Sequence, residues 1–288
     1  MTAAFELVDL EEADTPGDEW EEIDVTDTEA DRIARKRDRE FEQFEERIKD
    51  ADQFKVEQSV FDDATFAALY KLVQDGYVEA FGGPISTGKE ANVYHALGDD
   101  REVAVKIYRI NASNFRQMRD YLEGDPRFEG LGGKKKDVVL AWVRKELANL
   151  ERARAAGVRV PEPIAAERNV LVMEYLGNDE DGRAKRLGEV HVENPQTAYE
   201  VIREYMRRLY SAGLIHGDLS EYNVIVHENQ LIVIDLGQAV TVHHPNSRGF
   251  LERDCHNVAS FFRRQGLEVT DDEVLEFVTQ PEPDPTRA

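Results

Sequence analysis

One short stretch, His216-Gly217-Asp218-Leu219-Ser220-Glu221-Tyr222-Asn223, carries a carboxylate and a carboxamide at the two ends of a single loop. In that arrangement Asp218 can face an attacking hydroxyl while the amide oxygen of Asn223 reaches a metal ion. The apolar runs Val224-Ile225-Val226 and Leu231-Ile232-Val233-Ile234 then read as a tight hairpin whose second strand ends at Asp235, bringing another carboxylate beside Asn223. Oxygen ligands from a loop and a strand suit hard Mg²⁺ held against nucleotide phosphates. These residue types at these spacings point to phosphoryl transfer. An isolated H-G-D occurs in many turns, so the reading depends on context. An apolar-rich helix precedes the loop, and Gly237, two residues beyond Asp235, would permit a sharp backbone turn.

The elements that must position this loop lie upstream. Ser86-Thr87-Gly88-Lys89-Glu90-Ala91-Asn92 sits between strand-like runs at Tyr77 to Ile85 and Val93 to Leu97, and reads as a hairpin turn whose N–H groups can cover phosphates. Its single glycine, Gly88, is weak against the G-x-G-x-x-G loop of ordinary protein kinases. Val103-Ala104-Val105-Lys106-Ile107-Tyr108 follows as a strand, and Lys106 matches the V-A-I-K lysine that contacts the α- and β-phosphates. A lysine in such an apolar strand is costly to bury unpaired. From Asp137 to Ala156 the chain reads as a helix, with Val139, Trp142, Val143, Leu147 and Leu150 in an apolar stripe. Glu146 lies on the edge of that stripe. Lys106 is its simplest partner; a surface glutamate near Arg144 or Lys145 is the alternative. Beyond Pro161-Glu162-Pro163 comes a strand, Asn169 to Gly177, where backbone groups around Glu174 and Leu176 would hydrogen-bond an adenine edge.

Seven stretches in order carry a family resemblance: STGKEANVY (86–94), VAVKIYR (103–109), KELANL (145–150), MEYLG (173–177), HGDLSEYNVIV (216–226), IDLGQAV (234–240) and FLERDCHNVASFF (250–262). The chain resembles the RIO-family atypical serine/threonine protein kinases, first subfamily, in their archaeal and halophile-like form, from about residue 56 to residue 280. The resemblance implies an α+β, bilobal protein-kinase-like fold with an antiparallel-sheet first lobe and a mostly helical, truncated second lobe. It also implies ATP and Mg²⁺ as cofactors, with Mn²⁺ as a substitute. Asp218 would be the catalytic base and Asn223 and Asp235 the metal ligands. Lys106, paired with Glu146, would bind phosphates beneath a loop that includes Ser86, Thr87, Gly88 and Lys89. The family further implies transient phosphorylation of Asp235, hence ATPase activity, and a role with the precursor of the small ribosomal subunit, its rRNA and its proteins.

Departures from ordinary protein kinases narrow the reading. Gly217 replaces the arginine of H-R-D and no A-P-E follows Asp235, so control through a phosphorylated activation loop is not expected. The stretch after Asp235 is short for peptide docking. This favours, as an alternative to protein-kinase turnover, a nucleotide-gated binding switch in ribosome assembly. A small-molecule kinase of the aminoglycoside or choline type shares H-G-D-x-x-x-x-N but lacks STGKEANVY and RDCHNV. Between Lys106 and the Glu146 helix, Asn111 to Lys136 reads as a mobile, glycine-rich loop. Its Lys134-Lys135-Lys136 is either an RNA contact or a solvated loop.

Composition bounds the rest. The 288 residues carry a net charge of −23, and residues 1–30 hold twelve Asp/Glu and no Lys/Arg. That tail reads as disordered, 31–76 as a helical extension with a helix at Thr28 to Lys49, 77–173 and 174–280 as the two lobes, and 281–288 as a tail. Acid throughout, with arginine outnumbering lysine 25 to 11, suggests a salt-adapted cytoplasm. Cys255 is the only cysteine, which excludes an intramolecular disulfide and a Cys-rich metal site. His243, His244 and His256 lack the spacing of zinc ligands. No apolar run is long enough for a membrane span, and the acidic start is unlike a secretory signal. A soluble cytoplasmic protein follows, with its oligomeric state open.

Overall fold

Five antiparallel strands form the first lobe: β1 (Ala80–Thr87), β2 (Ala91–Leu97), β3 (Glu102–Tyr108), β4 (Pro163–Glu167) and β5 (Val170–Glu174), in the spatial order β1-β2-β3-β5-β4. The structure is a computed structural model that describes residues 61–110, 115–122, 124–128, 130, 132–178 and 182–280, together with Arg39 and Gln43. The acidic tail, the 281–288 tail and the Thr28 to Lys49 helix, apart from Arg39 and Gln43, which are helical, therefore lie outside the described residues. β3 is central, and its Val, Ile and Tyr side chains are almost all buried, as β-branched and aromatic residues favour on a covered sheet. Its register pairs Val93 with Lys106 and Lys106 with Leu171, which places the lysine in mid-sheet.

Helix α1 (Asp63–Gln74) starts where the Asp62 carboxylate accepts the Thr65 N–H at 2.8 Å, a side-chain N-cap. It buries Phe66, Leu69 and Leu72 against β4 and β5. The segment between β3 and the long helix departs from the mobile loop expected. Its described part contains α2 (Phe115–Leu122), with Met118, Tyr121 and Leu122 buried, and a 3₁₀ turn at Pro126–Phe128. The long helix, α3 (Lys135–Ala155), begins two residues before Asp137, so Lys135 and Lys136 belong to its first turn. The Met-x-x-Tyr-Leu spacing that buries one side of α2 is short and is masked in sequence by the glycines and lysines around it.

The second lobe is built on α4 (Pro195–Ser211), α5 (Ser247–Arg264) and α6 (Asp271–Thr279), with short paired strands between them. Those strands are β6 (Gly177–Asn178) with β7 (Gly182–Arg183), β8 (Lys185–Arg186) beside β10 (Val224–His227) and β11 (Gln230–Val233), and β9 (Leu214–Ile215) with β12 (Val240–Thr241). Asn194 caps α4 with Pro195 in its first turn, and a Thr270–Glu273 capping box starts α6. Ile202, Met206 and Leu209 of α4 and Val258 and Phe262 of α5 meet Val274 and Val278 of α6 in one continuous core. The β10–β11 hairpin pairs Val224 with Val233 and ends one residue before Ile234.

Among the described residues no helix is long and apolar enough to cross a membrane. With a net charge of −23, self-repulsion opposes compactness in dilute buffer, and near 1 M salt the Debye length shrinks to about 3 Å and screens it. The thermal midpoint should rise as monovalent salt is added; a flat or falling midpoint would mean that the charge excess is not an adaptation to salt.

Candidate active site

Lys106 joins the two lobes. From β3 its ammonium donates to Glu146 Oε1 of α3 at 2.7 Å and to Asp235 Oδ1 at 3.0 Å. The Tyr108 hydroxyl also donates to Glu146, which is 1 % exposed, so the pairing expected from helix periodicity is the one present. Burial works against the lysine's charge, but Asp235 and Glu146 outweigh it and hold the ammonium well above its ordinary pKa. Asp235 is enclosed by protein on most sides yet opens to the cleft, with 45 % of its side chain exposed. The Lys106 charge, against the effect of burial, keeps its carboxyl below the ordinary carboxylate value.

The turn after the hairpin is made differently from the sequence expectation. Asp235 itself, not Gly237, takes the left-handed backbone, at φ +63°. Gly237 is required by contact instead: a Cβ there would stand 2.8 Å from Trp142 Nε1. The glycine lets the turn lie flat on α3.

Gly217 does need its freedom. Its φ is +79°, and a Cβ would lie 3.0 Å from the Gln238 carbonyl, which explains why this loop has no arginine beside Asp218. Two loop N–H groups, of Gly217 and Leu219, donate to the Asp254 carboxylate at 2.8 Å each. Arg253 donates to the Gly217 carbonyl, and Asn257 Nδ2 donates to the Leu219 carbonyl at 3.0 Å. At the other end of the loop, Asn223 Nδ2 donates to the Asp218 carbonyl at 2.8 Å, leaving Oδ1 as the acceptor for a cation, and the Ile234 N–H donates to the Asn223 carbonyl at 3.0 Å. Burial pushes the Asp218 carboxyl above its ordinary pKa; His216 and Arg253 oppose this and Asp235 adds to it. A carboxylate so tuned is a better proton acceptor than a free one.

A cavity of about 420 Å³ runs between the lobes, with Ser86, Gly88, Lys89, Lys106, Glu146, Glu174, Leu176, Asn223 and Asp235 in its wall. Thr87 and Asp218 are not in that wall. Thr87 ends β1 as an exposed residue, paired with Asn92, and Asp218 lies beyond Asn223. Ile85, Val93, Ala104, Met173, Ile225 and Ile234 supply apolar surfaces suited to a flat heteroaromatic ring. The Glu174 carboxylate is occupied: Arg159 donates to it at 2.5 and 2.8 Å and the Glu162 N–H at 3.0 Å, which outweigh burial and lower its pKa. The Glu174 N–H goes to Glu162, and the Leu176 carbonyl accepts from the Ala184 N–H at 2.8 Å.

The RIO domain family matches residues 92–275. Over 283 residues the chain is 72 % identical to the RIO-type serine/threonine-protein kinase Rio1 of Haloferax volcanii, covering 98 % of this chain and 97 % of that protein. The chain belongs to the RIO family. It is 34 % identical over 251 residues to the Rio1 kinase of Methanocaldococcus jannaschii, with 86 % of both chains covered, and 39 % identical over 272 residues to human RIO1, covering 91 % of this chain and 47 % of the human one. A crystal structure of Rio2 kinase from Chaetomium thermophilum superposes with a TM-score of 0.59 at 26 % identity, covering 76 % of this chain and 69 % of that chain. The fold is the bilobal kinase-like fold, and the enzyme is a RIO-type serine/threonine protein kinase.

Four side chains that hold this RIO site together were not singled out as site residues in the sequence. Lys145, fully buried beside Glu146, donates to the Gly237 carbonyl at 2.7 Å and lies over the Trp142 ring. Burial, helped by Arg127, brings its pKa down to about 7. Asn149 donates to the Leu236 and Ala239 carbonyls, both at 3.0 Å. The others are Arg253 and Asp254, the latter pushed up by burial to about 6. The available signal was a polar residue at a buried helical spacing: Asp254 interrupts the stripe Leu251, Cys255, Val258, Phe262.

Proposed function

We propose that the cleft binds ATP with Mg²⁺, or Mn²⁺ in its place, and transfers the γ-phosphoryl group to a serine or threonine hydroxyl or to Asp235 itself. The observation that carries this reading is the Lys106 ammonium shared between Glu146 and Asp235, with Asn223 one hydrogen bond from Asp218. Glu146 fixes the lysine where phosphates would meet it. The Glu174 carbonyl and the Leu176 N–H are the groups for an adenine edge, and the Ser86 to Lys89 turn, closed by the Gly88 N–H donating to the Ala91 carbonyl at 3.0 Å, covers the phosphates. Asn223 Oδ1 and an Asp235 oxygen would hold the metal, which neutralises charge building on the transferred group. Asp218 accepts the proton of the attacking hydroxyl.

In the second route an Asp235 oxygen attacks the γ-phosphorus, ADP leaves, and water then cleaves the acyl phosphate to return the carboxylate and inorganic phosphate. A Rio2 kinase from Chaetomium thermophilum has been solved as an ADP/Mg²⁺-phosphoaspartate complex, which supports this reading here. A carboxylate that is open to the cleft and kept ionised by Lys106 is a competent nucleophile. After Asp235 the described chain continues only through β12, α5 and α6, leaving little structure for peptide docking. That favours ATPase activity coupled to maturation of the small ribosomal subunit in the cytoplasm, with the pre-ribosomal particle as partner.

Labelled ATP and Mg²⁺ should leave label on the protein that hydroxylamine removes, and the adduct should map to Asp235. Small ribosomal subunits should stimulate ATP hydrolysis. Only hydroxylamine-stable phosphoserine, with efficient turnover of a free protein substrate, would sink the switch reading and leave the protein-kinase one.

A further inference from the structure

The turn from Asp235 to Ala239 is held from one side by a single helix. Lys145 and Asn149, one turn apart on α3, take three of its carbonyls: Gly237 at 2.7 Å, Leu236 at 3.0 Å and Ala239 at 3.0 Å. Asp235 sits at φ +63°, in the left-handed region that few residues with a Cβ occupy, Asp and Asn more readily than the rest. Asn149 has a further partner. Its Oδ1 accepts from Arg127 Nη2 at 3.2 Å, and with that oxygen engaged its NH₂ must face the turn.

Arg127 does not belong to the helix or to the turn. It lies in the segment between α2 and α3, where its guanidinium forks onto the buried Asp125 carboxylate with contacts of 2.7 to 3.1 Å. The same segment meets the chain beyond the turn where a Cβ on Gly124 would lie 2.6 Å from Pro245 Cδ, and α2 meets it where His244 Nε2 pairs with the Asp120 carbonyl at 3.1 Å. A continuous set of hydrogen bonds thus runs from Asp125 through Arg127 and Asn149 to the backbone that presents Asp235.

We propose that Lys145 and Asn149 are positioning residues for Asp235, and that the Asp125–Arg127 clamp, by orienting the Asn149 amide, couples docking of the α2–α3 segment to metal binding in the cleft. The inference rests on the reading of Asp235 as a metal ligand. Groups that orient metal ligands from outside typically change metal affinity 10–100-fold when removed, without touching the metal themselves. In this chain the outer support comes partly from the segment between α2 and α3.

The test is an Mg²⁺ titration of the full-length protein saturated with ADP, with metal-free ADP affinity and thermal midpoint measured alongside. Asn149→Asp keeps the shape and can still accept from Arg127, but it cannot donate to the Leu236 and Ala239 carbonyls. Arg127→Met removes the clamp at a partly exposed side chain and keeps most of its volume. Each is expected to raise the Mg²⁺ concentration at half-saturation by about tenfold or more, with metal-free ADP affinity unchanged. An unchanged Mg²⁺ requirement in folded Arg127→Met protein, or equal loss of metal-free ADP affinity, would overturn the coupling. Asp235→Asn separates the two readings: if it leaves the Mg²⁺ titration unmoved, the assignment of Asp235 to the metal has failed, whereas a large shift there with none in Arg127→Met rejects the clamp alone.

Discussion

Asp218→Asn is expected to keep ATP affinity close to that of the parent enzyme and to lose phosphoryl transfer by about 10²–10⁴-fold, the range for removing a positioned acid–base group. The side chain is not in the cavity wall, so nucleotide contacts should survive its change. Its backbone carbonyl, which Asn223 uses, is unaltered by the substitution, and the loop remains held by Asp254, Arg253 and Asn257. What disappears is a carboxylate that burial has made a stronger proton acceptor. Nucleotide titration beside steady-state turnover decides the matter: a parallel loss of affinity would argue that Asp218 serves binding rather than proton transfer. Transfer to a hydroxyl and phosphorylation of Asp235 need not respond alike, because a carboxylate nucleophile has no proton to give up.

Much of this arrangement is legible in the amino-acid sequence, and the reasons differ by element. The central strand could be read because β-branched residues crowd around one lysine whose burial demanded a partner, and helix spacing then nominated Glu146. The proximity of Asp218, Asn223 and Asp235 in the folded chain is legible because one loop and one hairpin join them in sequence. What could not be read was long-range support. Lys145, Asn149 and Arg127 look like ordinary charged or polar helix and loop residues until α3 is laid against a turn some ninety residues later. Gly237 reads in sequence as a backbone need, whereas its constraint is the Trp142 ring, a contact no local pattern can announce. The α2 segment reads as a mobile loop in sequence because its flanking glycines and lysines outweigh the short buried spacing from Met118 to Leu122.

The largest combined effect on stability and activity is expected at Lys106. Lys106→Met leaves Glu146 buried with the Tyr108 hydroxyl as its remaining hydrogen-bond partner among the described residues, and breaking a buried pair in this way typically costs about 3–5 kcal/mol. The loss comes from the abandoned carboxylate, so it should be repaired by removing that charge. Lys106→Met combined with Glu146→Gln is therefore expected to unfold much closer to the parent than the lysine variant does, giving a double-mutant cycle with a strongly non-additive term. Turnover must behave differently. Restoring stability does not restore the ammonium, so the double variant should fold, keep weakened ATP binding and remain nearly inactive. Additive losses would show that Lys106 and Glu146 are not energetically paired, and a double variant with substantial phosphoryl transfer would remove Lys106 from the phosphate site.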